Sequence, residues 1–599
     1  MKKTINNLAL FAFCWLVISC NKSEELTENK ANEGQSQYVG EVGQAKTLEL
    51  TSIEDLNQEE VVINSHAESI SRSSLMMDYR SYIEIGSGQA KVAAPVYPRI
   101  KKMANGKYIL FYQNNQIGAD TYYLTSSDLK TWIGGDRLFA RYSVVDLLGA
   151  NNERRFSTCN ALVLSNGDLI AVVSYRVNNN YQILPKNNGL LLRRSKDNGL
   201  TWGDPVEIYQ GTNWEPFLLQ LPSGEIQCYF TDSHTDVDEH NSGTAMISSS
   251  DNGYTWTPSF GNTPYRVIRQ KYGEKNGVSL FTDQMPGVTK LNNSNQLAAA
   301  LESYNNTSKY YLSLAYTGED GQWAHLGENE IGPADRSNYI FAGAAPSLVQ
   351  FPSGETLLSY NTASAFTLRL GDVKARKFGD MYVPFSKTGF WGTLEMVNPH
   401  VVIGSMHTDG AIMLSRFVLN HNINATNRSV RIDGDNSDWS QKDEALFVGQ
   451  KSQAQATLRC SFDDKNIYFL IEVQDKEIAK EDYVSLFLSS PGINGELKSD
   501  ASRFKVWYYG LKSTDRYNGS TWNTADMKAL ISTSVDGKVS NSNGTDNGYL
   551  VELAIPKSQL NLSSGSLLVN LSLFDKQGGE DAIADTADRN TNNWVAISF

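Results

Sequence analysis

Cysteine is scarce in this chain of 599 residues: five are present, and Cys159, Cys228 and Cys460 are those beyond residue 20. Their odd number and wide spacing fit neither a disulfide framework nor a zinc site, so we expect buried free thiols and no structural metal. Proline, at 16 residues, is also scarce, and 46 glycines are far too few for a collagen-like repeat. These absences exclude a disulfide-stapled, fibrous or disordered protein and predict a folded globular one.

Positive charge is in deficit, with 53 Lys and Arg against 66 Asp and Glu, for a net charge of −13. There is no long basic run that would neutralise phosphates, so we expect no nucleic-acid partner. At this length, with 40% hydrophobic residues, the chain is predicted to form two or more domains.

The one long apolar run lies at the N-terminus. Lys2 and Lys3 precede the stretch from Leu8 to Ile18, which is too short for a permanent membrane span and is typical of a signal peptide. Cys20 stands where bacterial lipobox motifs place the lipidated cysteine. We therefore expect residues 1–20 to be a lipoprotein signal peptide that anchors the protein to the outer membrane or cell surface of a bacterium; an ordinary secretory signal is the alternative.

The segment of residues 21–74 is rich in Glu, Asn, Ser and Gln and shows little periodicity. Such a composition cannot bury enough apolar surface to fold alone. The segment is predicted to be a flexible tether.

A strand, turn, strand phrase recurs along the chain. Alternating apolar residues flank Asn-Gly or Ser-Gly turns at Gly106, Gly167, Gly224 and Gly354, and a glycine-poor copy begins at Pro286. Such turns are the strongest short-range hairpin signal. The period is about sixty residues, as expected of a repeat architecture. A divergent sixth unit runs from Trp391 to Phe417.

A second phrase follows three of the hairpins, at Ser126 to Trp132, Ser195 to Trp202 and Ser249 to Trp256. The last two copies read S-x-D-x-G-x-T-W. This phrase resembles the Asp-box of the sialidase superfamily, in which the Asp caps a turn and the Trp packs between blades. The resemblance implies an all-β fold, with a six-bladed, four-stranded β-propeller over residues 75–425.

The residue pattern changes from Arg431 onwards. Ile432 to Trp439 opens a segment with strand-like runs before Asp475 and around Ser485. The pattern resembles family-9 carbohydrate-binding modules and the related DOMON sandwiches, which implies a β-sandwich over residues 428–599. Exposed tryptophans bind sugar by stacking in that family. Trp507 and Trp522 are therefore candidate sugar-binding residues, with a role in the core as the alternative.

In a propeller blade the start of the first strand and the end of the second lie on one face, because consecutive strands run antiparallel. Glu225 and Glu355 follow the turn glycines at the opposite end and are set aside. The candidate ligand face comprises Arg99 and Tyr112 in the first repeat, Arg155, Asn160 and Arg176 in the second, Glu215 and Asp232 in the third, Asp283 and Glu302 in the fourth, and Tyr360 in the fifth.

Glu215 and Glu302 thus come from adjacent repeats and are expected in one axial pocket. Paired carboxylates suit glycoside cleavage, in which one group protonates the leaving oxygen and the other attacks the anomeric carbon or activates water. Either Glu could instead bind a backbone amide or a neighbouring arginine. Arg99 and Arg176 would anchor a substrate hydroxyl or carboxylate, or would neutralise these acids. His234 and four neighbouring ionisable residues, His240, Asp232, Asp236 and Asp238, are interpreted as a solvated loop and not as a metal site.

The sialidase resemblance breaks at the residues that bind sialic acid. Sialidases carry Arg-Ile-Pro in the first blade, two further arginines, and a nucleophilic Tyr paired with a Glu. Here Lys101 follows Arg99-Ile100, no arginine follows Cys228-Tyr-Phe-Thr, and Ala344-Ala-Pro replaces the Tyr region, although Glu215 stands where the Tyr-activating Glu is expected. The carboxylate clamp is therefore incomplete.

Four phrases are similar to glycoside hydrolase family 93, the retaining exo-arabinanases, which use two glutamates on a six-bladed propeller. They begin at Tyr97, Trp214, Asp283 and Pro346. The resemblance implies an exo-acting hydrolase that releases arabinofuranosyl-type sugars with Glu215 and Glu302 as the catalytic pair.

We expect a polysaccharide partner, no cofactor and a monomer, with the C-terminal module raising local substrate concentration. The alternatives are an exo-sialidase with an atypical arginine clamp, a non-catalytic glycan-binding lipoprotein, and a lyase on the same scaffold.

Overall fold

The computed structural model describes residues 41–42, 49–51, 72–115, 118–305, 307, 309–333, 335–363, 365–540, 546–562 and 565–599. The predicted signal peptide, Cys20 and most of the predicted tether lie outside these ranges. None of the helices within them has the length and hydropathy needed to cross a membrane.

The all-β prediction is confirmed: residues 74–420 form six antiparallel sheets, the blades, and a two-stranded hairpin between blades 3 and 4. From the inner strand outwards, the strands are Val96–Lys102, Tyr108–Gln113, Thr121–Ser126 and Ile133–Phe139 in blade 1; Asn151–Val163, Leu169–Val177, Gly189–Ser195 and Val206–Gln210 in blade 2, with Tyr142–Val145 paired to its inner strand; Asn213–Gln220, Ile226–Ser233, Ser242–Ser249 and Tyr265–Ile268 in blade 3; Gln270–Lys275 and Val278–Thr282 in the hairpin; Gln284–Lys290, Leu297–Tyr304, Tyr310–Tyr316 and Phe341–Ala342 in blade 4; Ala344–Gln350, Thr356–Thr362 and Ala365–Gly371 in blade 5; and Phe390–Asn398, Val401–Thr408 and Ala411–Asn420 in blade 6. Blade 5 differs from the four-stranded expectation, because isolated bridges at Tyr382 and Phe378 stand in place of its outer strand.

The propeller is a closed ring. Each inner strand contacts the inner strand of the next blade, and the sixth contacts the first. Residues that precede blade 1 complete blade 6: Ser74–Met77 and Ile83–Gly86 pair with its strand Ala411–Asn420. This pairing covers the outer edge that blade 6 would otherwise leave open.

The three Asp-box phrases form capped turns as predicted. The carboxylate of Asp251 accepts hydrogen bonds from the backbone N–H groups of Tyr254 and Thr255 at 3.0 and 2.9 Å. Thr255 also donates its hydroxyl, and these hydrogen bonds lower the pKa of Asp251 to about 2. Trp132 and Trp256 are buried, so this signature serves the fold.

Residues 423–599 form two further sheets, which pack face to face as a β-sandwich. The first sheet contains Thr426–Asn427, Ala445–Val448, Gln455–Phe462, Asn466–Gln474, Leu530–Asp536 and Gly548–Pro556, with Glu41–Val42 at its edge; the second contains Ile423–Asn424, Tyr483–Ser489, Ser502–Trp507, Lys512–Tyr517, Trp522–Thr524, Ser566–Asp575, Gly579–Ala582 and Val595–Ser598. The described helices are single turns: Tyr79–Ser81, Ser87–Ala90, Tyr181–Ile183, Pro185–Asn187, Ile493–Gly495 and Lys557–Gln559. Cys159, Cys228 and Cys460 are buried free thiols, as expected.

The sandwich packs against the outer edge of blade 6. The side-chain amide of Asn420 donates to the carbonyl of Phe447 at 2.8 Å and accepts from its N–H at 2.8 Å. Thr51, inside the segment predicted as a tether, is buried, and its hydroxyl donates to Glu472 at 2.5 Å. Part of that segment is therefore packed on the sandwich.

Candidate active site

Every inner strand carries a β-bulge, which lies close to its first residue in five blades and in the middle of Asn151–Val163 in blade 2. The register of each inner strand slips there. At each slip one residue has a left-handed φ: Tyr97 (58°), Thr158 (53°), Glu215 (48°), Met285 (51°), Ala345 (56°) and Trp391 (48°). Such a φ costs a residue with a Cβ about 1–2 kcal/mol, and bulges re-aim side chains. Four of the six, from blades 1, 4, 5 and 6, form one apolar cluster, so these side chains converge on the propeller axis. We call the six residues the axial collar.

Side chains from the second strand of the preceding blade hold the collar in place. The collar N–H groups of Thr158, Met285, Ala345 and Trp391 donate to Gln113 (2.7 Å), Thr231 (2.9 Å), Glu302 (2.8 Å) and Asn361 (2.8 Å), respectively. Glu302 is thus one of four equivalent acceptors. Its other oxygen accepts from the Gln284 side chain at 2.9 Å. Glu302 therefore binds a backbone amide, which was the open alternative for it, and both oxygens are held in fixed directions.

Glu215 is the one acidic member of the collar. Its N–H donates to the Thr158 hydroxyl at 3.2 Å, and its carboxylate accepts from the Thr231 hydroxyl at 2.7 Å. Burial raises the pKa of Glu215 to about 7; the charge of Glu302 raises it further, while the Thr231 hydrogen bond and the charges of Arg176 and Arg99 oppose the rise. The side chain keeps some exposure. It can therefore exchange a proton with a ligand near neutral pH.

Two buried arginines flank Glu215. Arg99 lies 3.7 Å over the Tyr97 ring and donates to the carbonyl of Trp391 at 2.9 Å. Arg176 lies 3.6 Å over the Trp214 ring, and burial lowers its pKa to about 10. Among the residues that the structure describes, no carboxylate lies within 4.0 Å of either guanidinium. Four half-buried arginines of the propeller do have one: Arg194 with Asp168, Arg266 with Asp232, Arg336 with Asp283 and Arg416 with Asp78. The buried Arg269 donates instead to the backbone carbonyls of Gly327 and Glu330.

Three predicted face residues are buried and hydrogen-bonded within the propeller. Asp283 is 0% exposed, and its carboxylate is taken by Arg336 at 2.8 Å and by Ser303 at 2.6 Å. The Tyr360 hydroxyl accepts from Arg369 at 2.9 Å, and the Tyr112 hydroxyl donates to a backbone carbonyl at 2.6 Å. The expectation that Asp283 and Tyr360 contact substrate is corrected, because both are buried and already hydrogen-bonded within the protein.

The remaining predicted residues lie around the collar in blades 2 and 3. Asn160 follows the blade-2 bulge, and its buried side-chain oxygen has no hydrogen-bond partner in the described ranges. Arg155 pairs with Glu153 at 2.5 Å and is half-exposed. Asp232 accepts from His234 and Arg266, both at 3.1 Å, in a separate cavity of about 520 Å³ between blades 2 and 3. Asp232 therefore belongs to that inter-blade cavity.

Several collar contacts could not be predicted from the sequence pattern. Tyr97 and Trp391 form part of the apolar cluster, and Thr158 and Thr231 bind Glu215. A bulge adds one residue to a strand without changing its apolar alternation elsewhere, so the pattern gives no sign of it. Thr231 ends the apolar run that begins at Cys228. Its place near the end of a second strand is the sequence feature that could have identified it as a residue of the ligand face.

Both candidate tryptophans of the sandwich are half-buried and lie on the second sheet. Trp507 is 5.7 Å from the Tyr483 ring, and the Lys505 ammonium lies 4.6 Å over it. Trp522 packs on Phe487 at 5.7 Å. Each keeps part of its ring accessible, so both remain candidates for sugar stacking.

The sandwich also brings together three buried carboxylates that could hold a metal ion. Oxygens of Asp475, Asp482 and Asp575 lie within 4.8 Å of one another, and no other such group occurs in the described ranges. Burial raises the pKa of Asp475 to about 7 and that of Asp482 to about 6. The fully buried Tyr549 hydroxyl has no hydrogen-bond partner in the same ranges. Burial raises its pKa, and the charges of the three carboxylates raise it further. Oxygen ligands of this kind suit Ca²⁺.

We expect millimolar Ca²⁺ to raise the unfolding temperature of the sandwich by about 3–6 °C at pH 7.5, because a bound cation would relieve the repulsion among these carboxylates. A chelator should reverse the rise, and Asp475→Asn should abolish the response. Differential scanning calorimetry of the full chain measures this shift. An unfolding temperature indifferent to both Ca²⁺ and chelator would contradict the assignment.

Comparisons with known proteins agree with the C-terminal prediction. Residues 435–598 match the family model described as carbohydrate family 9 binding domain-like, which confirms the predicted module. Exoglucanase XynX of Acetivibrio thermocellus is 27% identical over 182 residues, which is 28% of this chain and 15% of that protein. The chain therefore spans about a seventh of the length of this curated relative.

Solved structures similar to the chain cover the propeller. The GH93 α-L-arabinofuranosidase of Fusarium graminearum, in complex with arabinobiose, is 16% identical, with 57% of this chain and 97% of that one covered and a TM-score of 0.38. The Hadza microbial sialidase Hz136 is 16% identical, with 56% and 68% covered and a TM-score of 0.40.

Proposed function

We propose that the chain is an exo-acting glycoside hydrolase that removes terminal arabinofuranosyl-type sugars from polysaccharide at the axial collar. The observation that carries the proposal is Glu215, a recessed carboxyl on the propeller axis whose pKa is about 7 and which interacts electrostatically with Glu302. A general acid works best when its pKa is near the working pH. Two carboxyl groups are the usual requirement for glycoside hydrolysis.

In the proposed reaction Glu215 is the acid and base. Its protonated form donates a proton to the leaving glycosidic oxygen while a Glu302 oxygen forms a bond to the anomeric carbon. Glu215, now a carboxylate supported by the Thr231 hydroxyl and the Arg176 charge, then takes a proton from the water that attacks that carbon. The bond to Glu302 breaks and the free sugar leaves.

The collar also supports exo action. Tyr97, Met285, Ala345 and Trp391 pack together. We propose that this packing closes the axial channel beneath Glu215, so that the site admits a chain end and not a continuous polymer. The preference for arabinofuranosyl groups rests on the four phrases that resemble family 93.

The sandwich would hold the enzyme on its polysaccharide through Trp507 and Trp522. A lipid on Cys20 would place it at the bacterial envelope. We propose both roles together with the hydrolase, as parts of one surface-bound monomer that acts on glycan.

A second candidate, an exo-sialidase with an atypical clamp, is favoured by one observation. Arg99 and Arg176 are buried without a carboxylate partner among the described residues, and buried charges are usually paired. A sialic acid carboxylate would supply the missing partner.

The test is a substrate screen with the full mature chain. Arabinan, arabinoxylan, a pectic glycan and a sialylated glycan would be incubated separately, and released sugars would be identified by anion-exchange chromatography. Free arabinose supports the first proposal and free sialic acid the second. Sugar binding in calorimetry without release from any glycan would show a binding protein instead.

The pH profile tests the role of Glu215. As the acid, Glu215 must be protonated in the free enzyme, so kcat/KM is expected to fall as pH rises through about 7. Thr231→Val removes a hydrogen bond that favours the carboxylate, so it should raise the pKa and move this limb about one unit higher. Thr231→Ser keeps the hydroxyl and should leave the limb in place. A Thr231→Val profile that matches the parent would contradict this role.

A further inference from the structure

The hairpin between blades 3 and 4 is an insertion, because blade 3 already has four strands without it. It is fixed on the ligand face at three points. The Phe281 N–H donates to the Asn241 side chain at 2.9 Å, the Lys275 ammonium donates to Asp238 at 2.9 Å, and the Thr282 hydroxyl accepts from the Tyr304 N–H at 2.6 Å. A hairpin anchored in this way holds its side chains in a defined place.

The hairpin contributes one ring to a row of four. Tyr272 is 5.3 Å from Tyr304 between ring centroids, Tyr304 is 5.6 Å from Tyr310, and His240 lies 3.9 Å from Tyr304 and 6.0 Å from Tyr310. We call these four residues the aromatic wall. It forms one connected surface that leads from the inserted hairpin towards the collar.

The inner end of the wall meets the proposed catalytic carboxyls. Tyr304 follows Glu302 by two residues in the strand Leu297–Tyr304, and Tyr310 lies directly opposite Tyr304 on the neighbouring strand, so the three side chains project from one face of the sheet. Burial raises the pKa of Tyr310, and the charges of Glu302 and Glu215 raise it further. The Gln284 side chain, which stands opposite Glu302 on the adjoining strand, donates to Glu302 at 2.9 Å. The wall and the axial pocket are therefore continuous.

The exposure of these rings sets them apart from core aromatics. Tyr175, Tyr229 and Tyr360 are 2% exposed or less and pack between blades. All four wall residues keep intermediate exposure on the ligand face. Accessible rings with polar edges are what a sugar requires, because its C–H faces stack on the rings and its hydroxyls bond to phenol and imidazole groups.

We propose that the aromatic wall is a subsite for the polysaccharide chain on the leaving side of the scissile bond, where it stacks neutral backbone sugars beyond the sugar that is released. This inference rests on the proposed hydrolase. The hairpin would then make the enzyme prefer long chains to short ones, since only a long chain reaches Tyr272 from the collar.

The experiment compares long and short substrates with Tyr272→Ala in the full chain. With arabinohexaose, kcat/KM and the calorimetric affinity are expected to fall about tenfold, the loss of one stacking platform. With a small chromogenic aryl arabinofuranoside, which is too short to reach Tyr272, kcat/KM should stay within about twofold. Tyr272→Phe retains the ring and should behave as the parent does.

Tyr254→Ala is the matched control, because Tyr254 is 58% exposed in the Asp-box turn at the opposite end of blade 3. The Tyr254→Ala variant should leave kcat/KM for both substrates unchanged. Unchanged unfolding temperatures of all variants would show that the fold is intact.

Two outcomes separate this inference from the proposed function. If arabinohexaose is cleaved and Tyr272→Ala cleaves it as fast as the parent, the wall assignment is overturned and the hydrolase stands. If arabinohexaose binds without being cleaved and Tyr272→Ala weakens that binding, the wall assignment stands and the hydrolase is overturned.

Discussion

Replacing Glu215 with Gln is expected to lower kcat about 10²–10⁴-fold while sugar binding persists. The amide keeps the size of the carboxyl and can still accept from the Thr231 hydroxyl, but it cannot give or take the proton that general acid and base catalysis supplies. Substrate affinity should change little, because the collar and the two stacked arginines remain. Sugar release measured by chromatography, beside oligosaccharide binding measured by calorimetry, separates the two effects.

Glu225→Gln is the matched control, since Glu225 occupies the turn of the same blade at the opposite end, where it accepts from Gln227 at 3.0 Å. It should leave turnover unchanged. Glu302→Gln should also abolish turnover, and it should lower the unfolding temperature as well, because the carboxylate that holds the Ala345 N–H and the Gln284 amide is lost. Full turnover in both the Glu215 and Glu302 variants would end the proposed mechanism.

Replacing Asp78 with Ala is expected to lower the free energy of unfolding of the propeller by about 3–5 kcal/mol, the cost of breaking an ion pair whose carboxylate is fully buried. Asp78 is 0% exposed, and Arg416 donates to it from Nε at 3.1 Å and from Nη2 at 3.0 Å. Its other oxygen accepts from Gln455 of the sandwich and from the Arg80 N–H. One carboxylate thus joins the N-terminal segment, blade 6 and the sandwich.

Urea unfolding followed by tryptophan fluorescence measures this loss. The sandwich should then unfold at a separate midpoint, because the hydrogen bond between Gln455 of the sandwich and Asp78 is lost. Asp380→Ala is the control, because Asp380 is exposed. A midpoint for Asp78→Ala equal to that of the parent would contradict the prediction.

Much of the fold could be predicted from local patterns in the sequence. The hairpins at Gly106 and Gly167 could be predicted because a two-residue turn and alternating side chains are properties of neighbouring residues. The rule that strand starts and ends share a face placed Glu215 and Glu302 together, and the structure brings both to the axis.

What the sequence could not supply were contacts between distant segments. Asp283 and Tyr360 follow the repeat as faithfully as Glu302 does, yet Arg336 and Arg369 reach them from other strands and loops and satisfy them. The acidic trio of the sandwich is likewise assembled from two separate segments, because Asp475 and Asp482 lie in the connection between two strands and Asp575 ends the strand Ser566–Asp575. Only the tertiary structure shows which polar groups already have partners.

The way blade 6 is completed affects how the protein must be made. Asp78 and Ser415, 337 residues apart in the chain, are hydrogen-bond partners. The ring of blades therefore cannot close until the ribosome has added nearly the whole propeller. Until then the strands Ser74–Met77 and Ile83–Gly86 lack their partner strand Ala411–Asn420, and pairing over such distances is slow. Chains that terminate early should therefore accumulate as aggregates, and chaperones that shield nascent strands should raise the yield of soluble protein.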